Sequence, residues 1–342
     1  MSKYNHFLMT DRAVNEGHLS NTGSAFGPMR FGVMPAPGDI TALWGQDFHC
    51  TYDTCLTAHK RELGGYARLF RELYDEMVES GKEILFFIHG YKHSFDQLKK
   101  TVGVLERNYV SKPGSNIGHI VAFSWATSPK TQDYDLDLEA ANTAGKDFCA
   151  FLLELKAFLE QAFDNEEDAR AFADKLNLVT ISMGCRVLEK AVECFFSQSD
   201  HEPFQAFNEV ILAAPDLDFT VFDGEMMPRI AELARRTHCH FNTVDFILYV
   251  SQWKNRKLRL GRSGPPRKDI HPSIIFVDTT KVVPFASFEF ELSFEMNYPV
   301  THNYFLRQQT VIEDANYIFR HEEAHVIPGR ELSSDQMYKL LK

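Results

Sequence analysis

The sequence predicts an α/β protein in which a mostly parallel central sheet is covered by helices on both faces. Continuous apolar runs, such as ILFFI at 84–88 and VILAA at 210–214, are typical of strands that are buried on both faces. Segments with the apolar spacing of a helix alternate with these runs along the chain. Strands that alternate with helices favour a parallel sheet between two helical layers.

The individual elements follow from the same two patterns. Strands are expected at 4–10, 29–34, 83–90, 119–125, 176–182, 207–214, 238–245 and 273–279. Helices are expected at 65–80, where Gly81 ends the pattern, and at 95–110, 137–163, 186–196 and 228–236.

The chain shows no internal repeat and no linker that would force a second domain. We therefore expect one domain with a core at 81–310. The strands, loops and first helix of 1–80 are assigned to that same domain, and 311–342 is expected to form a C-terminal helical segment.

Composition limits the class of protein. A chain of 342 residues with 44% hydrophobic residues can bury a large core. Its net charge of -11 argues against a nucleic-acid partner. No apolar run approaches the roughly 20 residues of a membrane span, and the first residues lack the apolar segment of a signal peptide, so we expect a cytoplasmic location.

The cysteines are scattered without the spacing of a disulfide framework. Most lie in apolar surroundings, which indicates reduced core thiols. They are Cys50, Cys55, Cys149, Cys185, Cys194 and Cys239.

Ser182 ends the predicted strand at 176–182 and precedes a helix. This arrangement resembles the nucleophile elbow Gly-x-Ser-x-Gly, in which a serine sits on a strained turn. Gly184 matches the last position of that pattern, whereas Thr180 replaces its first glycine. A serine that only caps the helix is the alternative interpretation.

Other polar residues also follow the apolar runs, where ligands bind in parallel sheets. Those at the ends of the other predicted strands or just beyond them are His89, Gly90, Tyr91, Ser124, Trp125, Asp216, Asp218 and Asp245. His302 lies further along the chain. A serine, then acids, then a histidine is the chain order of the triad in α/β-hydrolases.

Several blocks of sequence together resemble a bacterial family of α/β-hydrolases catalogued as a domain of unknown function. In chain order they are MTDR, FFIHGY, VAFSWATS, YDLDLEAANTAGKDF, ISMGCRVL, LAAPDLD and THNYF, most of them between residues 80 and 305. The resemblance implies an α/β-hydrolase fold and a serine triad, and it carries little about substrate. Ile181 departs from the family pattern, which usually has histidine before the serine, and Thr180 is larger than the usual residue.

These observations give each candidate residue a role. Ser182 is the predicted nucleophile and His302 in THNYF the predicted base. The backbone NH groups of Tyr91 and Met183 are expected to form the oxyanion hole. The residues expected to support the turn and the pocket are His89, Gly90, Trp125, Gly184, Arg186 and Asp216.

The triad acid has more than one candidate. We favour Asp245, which we expect to close the strand at 238–245. Asp216 and Asp218, after the preceding strand, are the rivals, and either of them could instead brace the strand end. The acid would hold the imidazole in the correct tautomer.

A competing motif is HEEAH at 321–325, which fits the HExxH pattern of zinc peptidases. Pro328 and Gly329 end any helix there within a turn, and only Glu331 and Asp335 follow as third ligands. His49, Cys50, Cys55 and His59 match no common zinc module, and His238 and His240 need only share a sheet face. We expect no metal and no cofactor.

A basic stretch, KNRKLRLGRSGPPRKD, follows Asp245 at 254–269. Its cations are Lys254, Arg256, Lys257, Arg259, Arg262, Arg267 and Lys268. It is either a solvated loop or a rim that attracts an anionic substrate. The predicted function is a serine hydrolase that cleaves a small-molecule ester or lipid-like acyl bond. The alternatives are a zinc peptidase and a catalytically inactive hydrolase fold that serves as a binding module.

Overall fold

The structure is a computed structural model of the chain. It describes residues 5–15, 18–20, 26–35, 40–45, 52–128, 130–198, 204–265, 269–283, 300–334 and 337–342. The strands are β1 (His6–Arg12), β2 (Val14–Asn15), β3 (His18–Leu19), β4 (Phe26–Met34), β5 (Ala42–Gly45), β6 (Glu83–Ile88), β7 (Ile117–Ser124), β8 (Leu176–Ile181), β9 (Phe207–Ala213), β10 (Ala234–Phe241), β11 (Ile274–Asp278), β12 (Arg330–Ser334) and β13 (Met337–Leu340). The helices are α1 (Gly65–Ser80), α2 (Phe95–Leu105), α3 (Tyr134–Gln161), α4 (Glu166–Ala173), α5 (Gly184–Gln198), α6 (Met226–Leu233), α7 (Phe246–Asn255), α8 (Leu260–Ser263), α9 (Tyr304–Arg307) and α10 (Gln309–Ile318).

Within these residues one sheet of eleven strands has the order β12-β13-β11-β10-β9-β8-β6-β7-β1-β4-β5. Every pair from β13 to β1 is parallel, and antiparallel pairs occur only toward the two edges. The predicted parallel sheet is therefore confirmed. The short strands β2 and β3 pair antiparallel in a separate two-stranded sheet.

Helices cover both faces of the sheet, as predicted. On β6, Phe86 joins the core that contains α1, α3 and α5. Its neighbours Leu85 and Phe87 point to the opposite face and join the core that contains α2, α9 and α10. Because successive side chains on a strand alternate between faces, a run that is apolar at every position serves two cores at once.

The predicted helix at 228–236 is too long. α6 ends at Leu233, and Ala234 already belongs to β10. Arg236 lies in the strand because Glu209, its partner in register on β9, accepts a hydrogen bond from its Nε at 2.9 Å. A buried ion pair between neighbouring strands leaves no trace in helical periodicity, so the sequence pattern could not reveal it.

The C-terminal segment is helical only in part. α10 ends at Ile318, and the later strands β12 and β13 extend the sheet, with β13 parallel to β11. Arg330 at the start of β12 is tied to α10 because its Nε and Nη2 donate to the Asp314 carboxylate at 2.6 and 2.8 Å. The expectation of a wholly helical segment is corrected accordingly.

The cysteines are not all reduced thiols. Cys149 on α3 and Cys194 on α5 form a disulfide, which the scattered spacing did not predict. Cys55, Cys185 and Cys239 are buried thiols, whereas Cys50 lies outside the described residues. Among the helices described, none is long and apolar enough to cross a membrane.

Candidate active site

Ser182 occupies a sharp turn between β8 and α5. Its φ is +54°, in the left-handed region that costs a residue with a side chain about 1–3 kcal/mol. The turn is held because the Ser182 NH donates to Ala213 O at 3.0 Å, and Ser182 O accepts from the NH groups of Cys185 and Asp216, each at 3.1 Å. The backbone geometry is that of a nucleophile elbow.

Two glycines allow the backbone to close around this turn. A Cβ on Gly184 would lie 2.5 Å from Ile88 O and 2.6 Å from His89 O, so α5 can pack against the end of β6 only without a side chain there. A Cβ on Gly90 would lie 3.1 Å from Ser182 Cβ. Thr180 fits in place of the usual glycine because its side chain is buried with Oγ1 3.0 Å from Cys185 Sγ.

Asp245 and His302 form a buried pair. Nδ1 of His302 lies 2.8 Å from Oδ2 of Asp245, and both side chains are almost completely excluded from solvent. The other oxygen, Oδ1, accepts the Leu248 NH at 2.9 Å and so caps α7. The prediction that Asp245 closes a strand is wrong, because β10 ends at Phe241 and Asp245 begins the following helix instead.

The segment that carries His302 is anchored at the carboxyl ends of the central strands, where Ser182 also lies. Asn242 donates from Nδ2 to Thr301 O at 2.8 Å. The Tyr304 hydroxyl donates to His240 O at 2.8 Å and accepts the Ala214 NH at 3.0 Å. Since the neighbouring residue Ala213 binds the Ser182 NH, the serine and the histidine segment share one short stretch at the end of β9. The Ser182 Oγ is buried and has no hydrogen-bond partner among the described residues.

Both carboxylate oxygens of Asp216 are hydrogen-bonded to residues outside the predicted triad. Its Oδ2 accepts from the Tyr134 hydroxyl at 2.8 Å, and its Oδ1 accepts from Ser251 Oγ at 2.5 Å. Arg259 Nε approaches the same Oδ1 at 3.4 Å. These partners come from α3, α7 and the segment after α7, so Asp216 ties three elements to the end of β9.

Asp218, the other rival for the acid, lies in an ion-pair cluster. Its carboxylate accepts from Lys257 Nζ at 2.6 Å and from Arg259 Nη1 at 2.8 Å, and these cations hold the Asp218 pKa below its usual value despite the desolvation that would raise it. The hydrogen-bonding partners of both rivals therefore favour a bracing role.

The loop after β6 carries the predicted oxyanion-hole residue Tyr91. Next to it, Lys92 has φ +55° and donates its NH to Asp137 Oδ2 at 3.0 Å, while the Ser128 NH donates to Oδ1 at 2.7 Å. Burial raises the Asp137 pKa to about 6, although the two NH groups oppose that change. Asp137 positions this loop, and sequence reasoning missed it. Its place in the block YDLDL was the available signal.

His89 and Trp125 support the base of the same loop. Trp125 stacks on His89 with ring centroids 5.3 Å apart and donates from Nε1 to His89 O at 2.8 Å. Burial holds the His89 pKa well below its usual value. Both residues lie where the sequence placed supporting groups.

Two arginines hold elements around the site. Arg12, in the block MTDR, is buried and donates from Nε to Ser124 Oγ at 2.8 Å and from Nη2 to His93 O at 2.6 Å. Its role was not predicted. Arg186, predicted as a supporting residue, joins α5 to α3 through a 3.2 Å hydrogen bond from Nε to Asn142 Oδ1.

The HEEAH segment is not a helix. α10 ends at Ile318, and His321 has φ +61°. Its Nε2 lies 2.9 Å from Glu83 Oε1, and its Nδ1 lies 3.5 Å from Glu209 Oε1. The two histidines of the motif therefore do not share a helical face, as a zinc peptidase requires.

The other candidate metal ligands are also placed differently. His49 and Cys50 lie outside the described residues. His238 Nε2 lies 3.3 Å from Glu209 Oε2, and His240 Nε2 lies 3.2 Å from Asp314 Oδ2. Across the described ranges, no group of three or more His, Cys, Asp or Glu residues is arranged to hold a metal ion.

The basic stretch is partly internal. Arg259 is buried against Asp216 and Asp218, and Lys254 Nζ lies 3.0 Å from Asp135 Oδ2. Arg267 and Lys268 lie outside the described residues. Lys254, Arg256 and Lys257 line a groove beside α7, and the Arg262 guanidinium lies 5.3 Å from the centre of the Tyr249 ring.

Comparison with known proteins identifies the family of the fold. The model of a family described as "Alpha/beta hydrolase of unknown function (DUF900)" matches residues 70–313, which is more than half of the chain. A search of curated proteins gave no match.

Proposed function

The chain belongs to this family of α/β-hydrolases, and from that premise we propose that it is a serine hydrolase that cleaves an ester or related acyl bond through a covalent acyl-enzyme. Ser182 is the nucleophile, His302 the general base and Asp245 the acid that orients it. The amides of Met183 and Tyr91 stabilise the oxyanion.

One observation carries the proposal: a buried carboxylate-imidazole pair and a serine in a strained left-handed turn lie together at the carboxyl ends of the central strands. The 2.8 Å contact between Asp245 Oδ2 and His302 Nδ1 is the contact a triad needs, because the acid of a triad binds the base through Nδ1. The Ser182 φ of +54° is what an elbow requires. Structural histidines and capping serines do not need this combination.

In the first half-reaction, Ser182 Oγ attacks the acyl carbon while His302 Nε2 takes the hydroxyl proton. The carbonyl oxygen becomes an oxyanion, which the two backbone NH groups stabilise. Asp245 stabilises the imidazolium without accepting its proton. The tetrahedral intermediate collapses, the bond to the leaving alcohol breaks, and the imidazolium returns the proton to that alcohol.

The second half-reaction restores the enzyme. Water attacks the acyl carbon of the Ser182 ester while His302 takes one of its protons. Collapse of the second tetrahedral intermediate breaks the bond to Ser182 Oγ, which regains a proton from the imidazolium. The products are a carboxylic acid and free Ser182, and no cofactor enters the balance.

The proposal is tested by labelling with a fluorophosphonate probe, because an activated serine attacks phosphorus whereas an ordinary hydroxyl does not. We expect the wild type to be labelled at Ser182, as mapped by peptide mass spectrometry, and Ser182→Ala to be unlabelled. Ser111→Ala, at an exposed serine, is the matched control and should be labelled like the wild type. Hydrolysis of short p-nitrophenyl esters should follow the same pattern.

The outcomes separate the alternatives. Labelling that persists in Ser182→Ala would place the nucleophile elsewhere. If wild type and variant both stay unlabelled with unchanged melting temperatures, the chain is a binding module on a hydrolase fold. Ester hydrolysis that is lost on chelation and restored by zinc would favour the metallopeptidase alternative.

A further inference from the structure

Helix α7 begins directly after the proposed triad acid, and its inner face joins the site. Leu248 is buried, Ser251 Oγ donates to Asp216, and Asn255 Nδ2 donates to the Tyr134 hydroxyl at 3.1 Å. This side of the helix is fixed to the end of β9 and to α3. The helix is therefore anchored beside the candidate site.

Its outer face is apolar where a surface helix is normally polar. Phe246, Tyr249, Val250 and Trp253 stand at i, i+3, i+4 and i+7, which places them in one stripe. Each is at least 42% exposed, and Trp253 is 79% exposed. Leu258, 47% exposed, lies close beyond the helix end. We call these five residues the α7 patch.

Cations border the patch at one end. The segment 246–262 holds five Lys and Arg residues and no Asp or Glu, in a chain whose net charge is -11. Lys254, Arg256 and Lys257 line a surface groove of about 660 Å³ together with Tyr249, Trp253 and Leu258. Lys254 and Lys257 each contact an aspartate, but the Lys257 side chain stays 64% exposed. Such exposed pairs are weak and can exchange partners.

We propose that the α7 patch docks on an anionic lipid surface. Tyrosine and tryptophan settle at the level of lipid headgroups because each has an apolar body and a polar tip. Lysine and arginine beside them pair with lipid phosphates, as in helices that lie in the membrane interface. The apolar stripe and its cationic border match both properties of such a surface.

Charge favours lipid over a second copy of the chain. A second copy would bring a net charge of -11 to a chain of the same charge. A two-fold dimer uses the same surface of both subunits. The three cations of one subunit would therefore face, and repel, the same three cations of the other. An anionic bilayer attracts this border while it repels the rest of the molecule, which sets the docking orientation.

The docking itself is independent of catalysis. The inference about which substrate is cleaved rests on the proposed function. A helix that meets the bilayer with its outer face, and whose first residue follows Asp245, brings the mouth of the site to the lipid. The acyl group would then belong to a lipid taken from that surface.

The test is co-sedimentation of the full chain with phosphatidylcholine vesicles that contain no phosphatidylserine or about a third of it. We expect binding to the anionic vesicles that weakens as salt is raised. Val250→Ser combined with Trp253→Ser should weaken binding at least tenfold. Arg256→Glu should weaken it about fivefold or more, the effect of one basic residue near a charged membrane.

Matched controls are Leu332→Ser, another exposed apolar residue, and Lys100→Glu, an exposed lysine on α2. Both should bind like the wild type, and all variants should keep the wild-type melting temperature because the side chains are exposed. Ser182→Ala should also bind normally, so a failure of the proposed function leaves this test intact.

Three results would overturn the proposal. One is the absence of binding to every vesicle at low salt. Another is equal binding by the patch variants and the wild type. The third is a dimer in sedimentation equilibrium that becomes monomeric in the Val250 and Trp253 double variant, which would assign the patch to a second copy.

Discussion

Asp245 uses one carboxylate oxygen to hold His302 and the other to begin helix α7. Oδ2 lies 2.8 Å from His302 Nδ1, and Oδ1 accepts the Leu248 NH at 2.9 Å. The carboxylate is completely buried and both oxygens are engaged, so it cannot rotate without breaking one contact. The orientation of the imidazole is therefore fixed by the start of the helix that carries the α7 patch.

Replacing Asp245 with asparagine should abolish activity and leave the fold intact. Asparagine caps helices as well as aspartate does, so the melting temperature should stay within a few degrees of the wild type. The amide nitrogen would face His302 Nδ1 and favour the wrong tautomer, which should lower kcat about ten-thousandfold. Ester hydrolysis measured against pH should show partial recovery at high pH, where hydroxide substitutes for the base.

Replacing Asp216 with asparagine should have the opposite effect. The buried carboxylate binds Tyr134 and Ser251 and neutralises Arg259, so the variant leaves a buried guanidinium with one ion-pair partner fewer. The free energy of unfolding, measured by thermal denaturation, should fall by up to about 3 kcal/mol, as for a broken buried ion pair. Turnover of the folded variant should stay within about tenfold of the wild type. If Asp216→Asn lost activity without stability while Asp245→Asn did the reverse, the acid would follow β9.

Replacing Asp137 with asparagine should lower kcat with little change in KM. Asp137 accepts the Lys92 NH with one oxygen and the Ser128 NH with the other, so the single oxygen of an amide can accept only one of them and its NH₂ group would face the other NH. The loop should then shift the Tyr91 amide away from the oxyanion. The loss should reach about a hundredfold, near the value of one oxyanion donor.

Asp135→Asn, on the exposed side of the same helical turn, is the control for Asp137 and should keep wild-type kcat. Steady-state kinetics of the two variants decide the matter. An unchanged kcat in a folded Asp137→Asn variant would show that Asp137 does not position the oxyanion hole.

Stability should fall as pH rises through the titration of His321. Burial lowers the His321 pKa, but hydrogen bonds to Glu209 and Glu83 outweigh it and raise the pKa to about 9. Since the folded pKa exceeds the unfolded value of about 6.5, the stabilisation is complete below that value. It is lost as pH rises toward 9.

His321→Gln should remove this pH dependence, and His325→Gln, at an exposed site nearby, should keep it. The measurement is the melting temperature of the three proteins between pH 6 and 10. Parallel curves for wild type and His321→Gln would refute the assigned coupling.

Local sequence patterns determined the central strands, the helices α1, α2, α3, α5 and α6, and the position of the nucleophile candidate. Apolar runs gave the central strands, and the short-range pattern around Ser182 and Gly184 gave the turn. Such features depend on residues within about one helical turn, so a single sequence carries them. His302 came from its chain order and local match, and its buried contact with Asp245 supports that choice.

Tertiary structure decided what depends on residues far apart in the chain. Arg236 belongs to a strand because Glu209 pairs with it, β13 forms because β11 offers an edge, and HEEAH ends as a turn with His321 against Glu83 and Glu209. The disulfide between Cys149 and Cys194 joins two helices that only the packed fold brings together. None of these contacts has a local signature.

Helix α7 shows most clearly what apolar spacing in the sequence cannot predict. Its apolar spacing is the same whether the stripe faces a core or solvent, because periodicity records only that residues share a face. No helix was predicted at 246–255, and the spacing of Phe246, Tyr249, Val250 and Trp253 places them on one face only once the segment is helical. The tertiary structure decided that Leu248 and Ser251 face inward and leave that aligned stripe outside, since burial depends on which surface the rest of the chain presents to the helix.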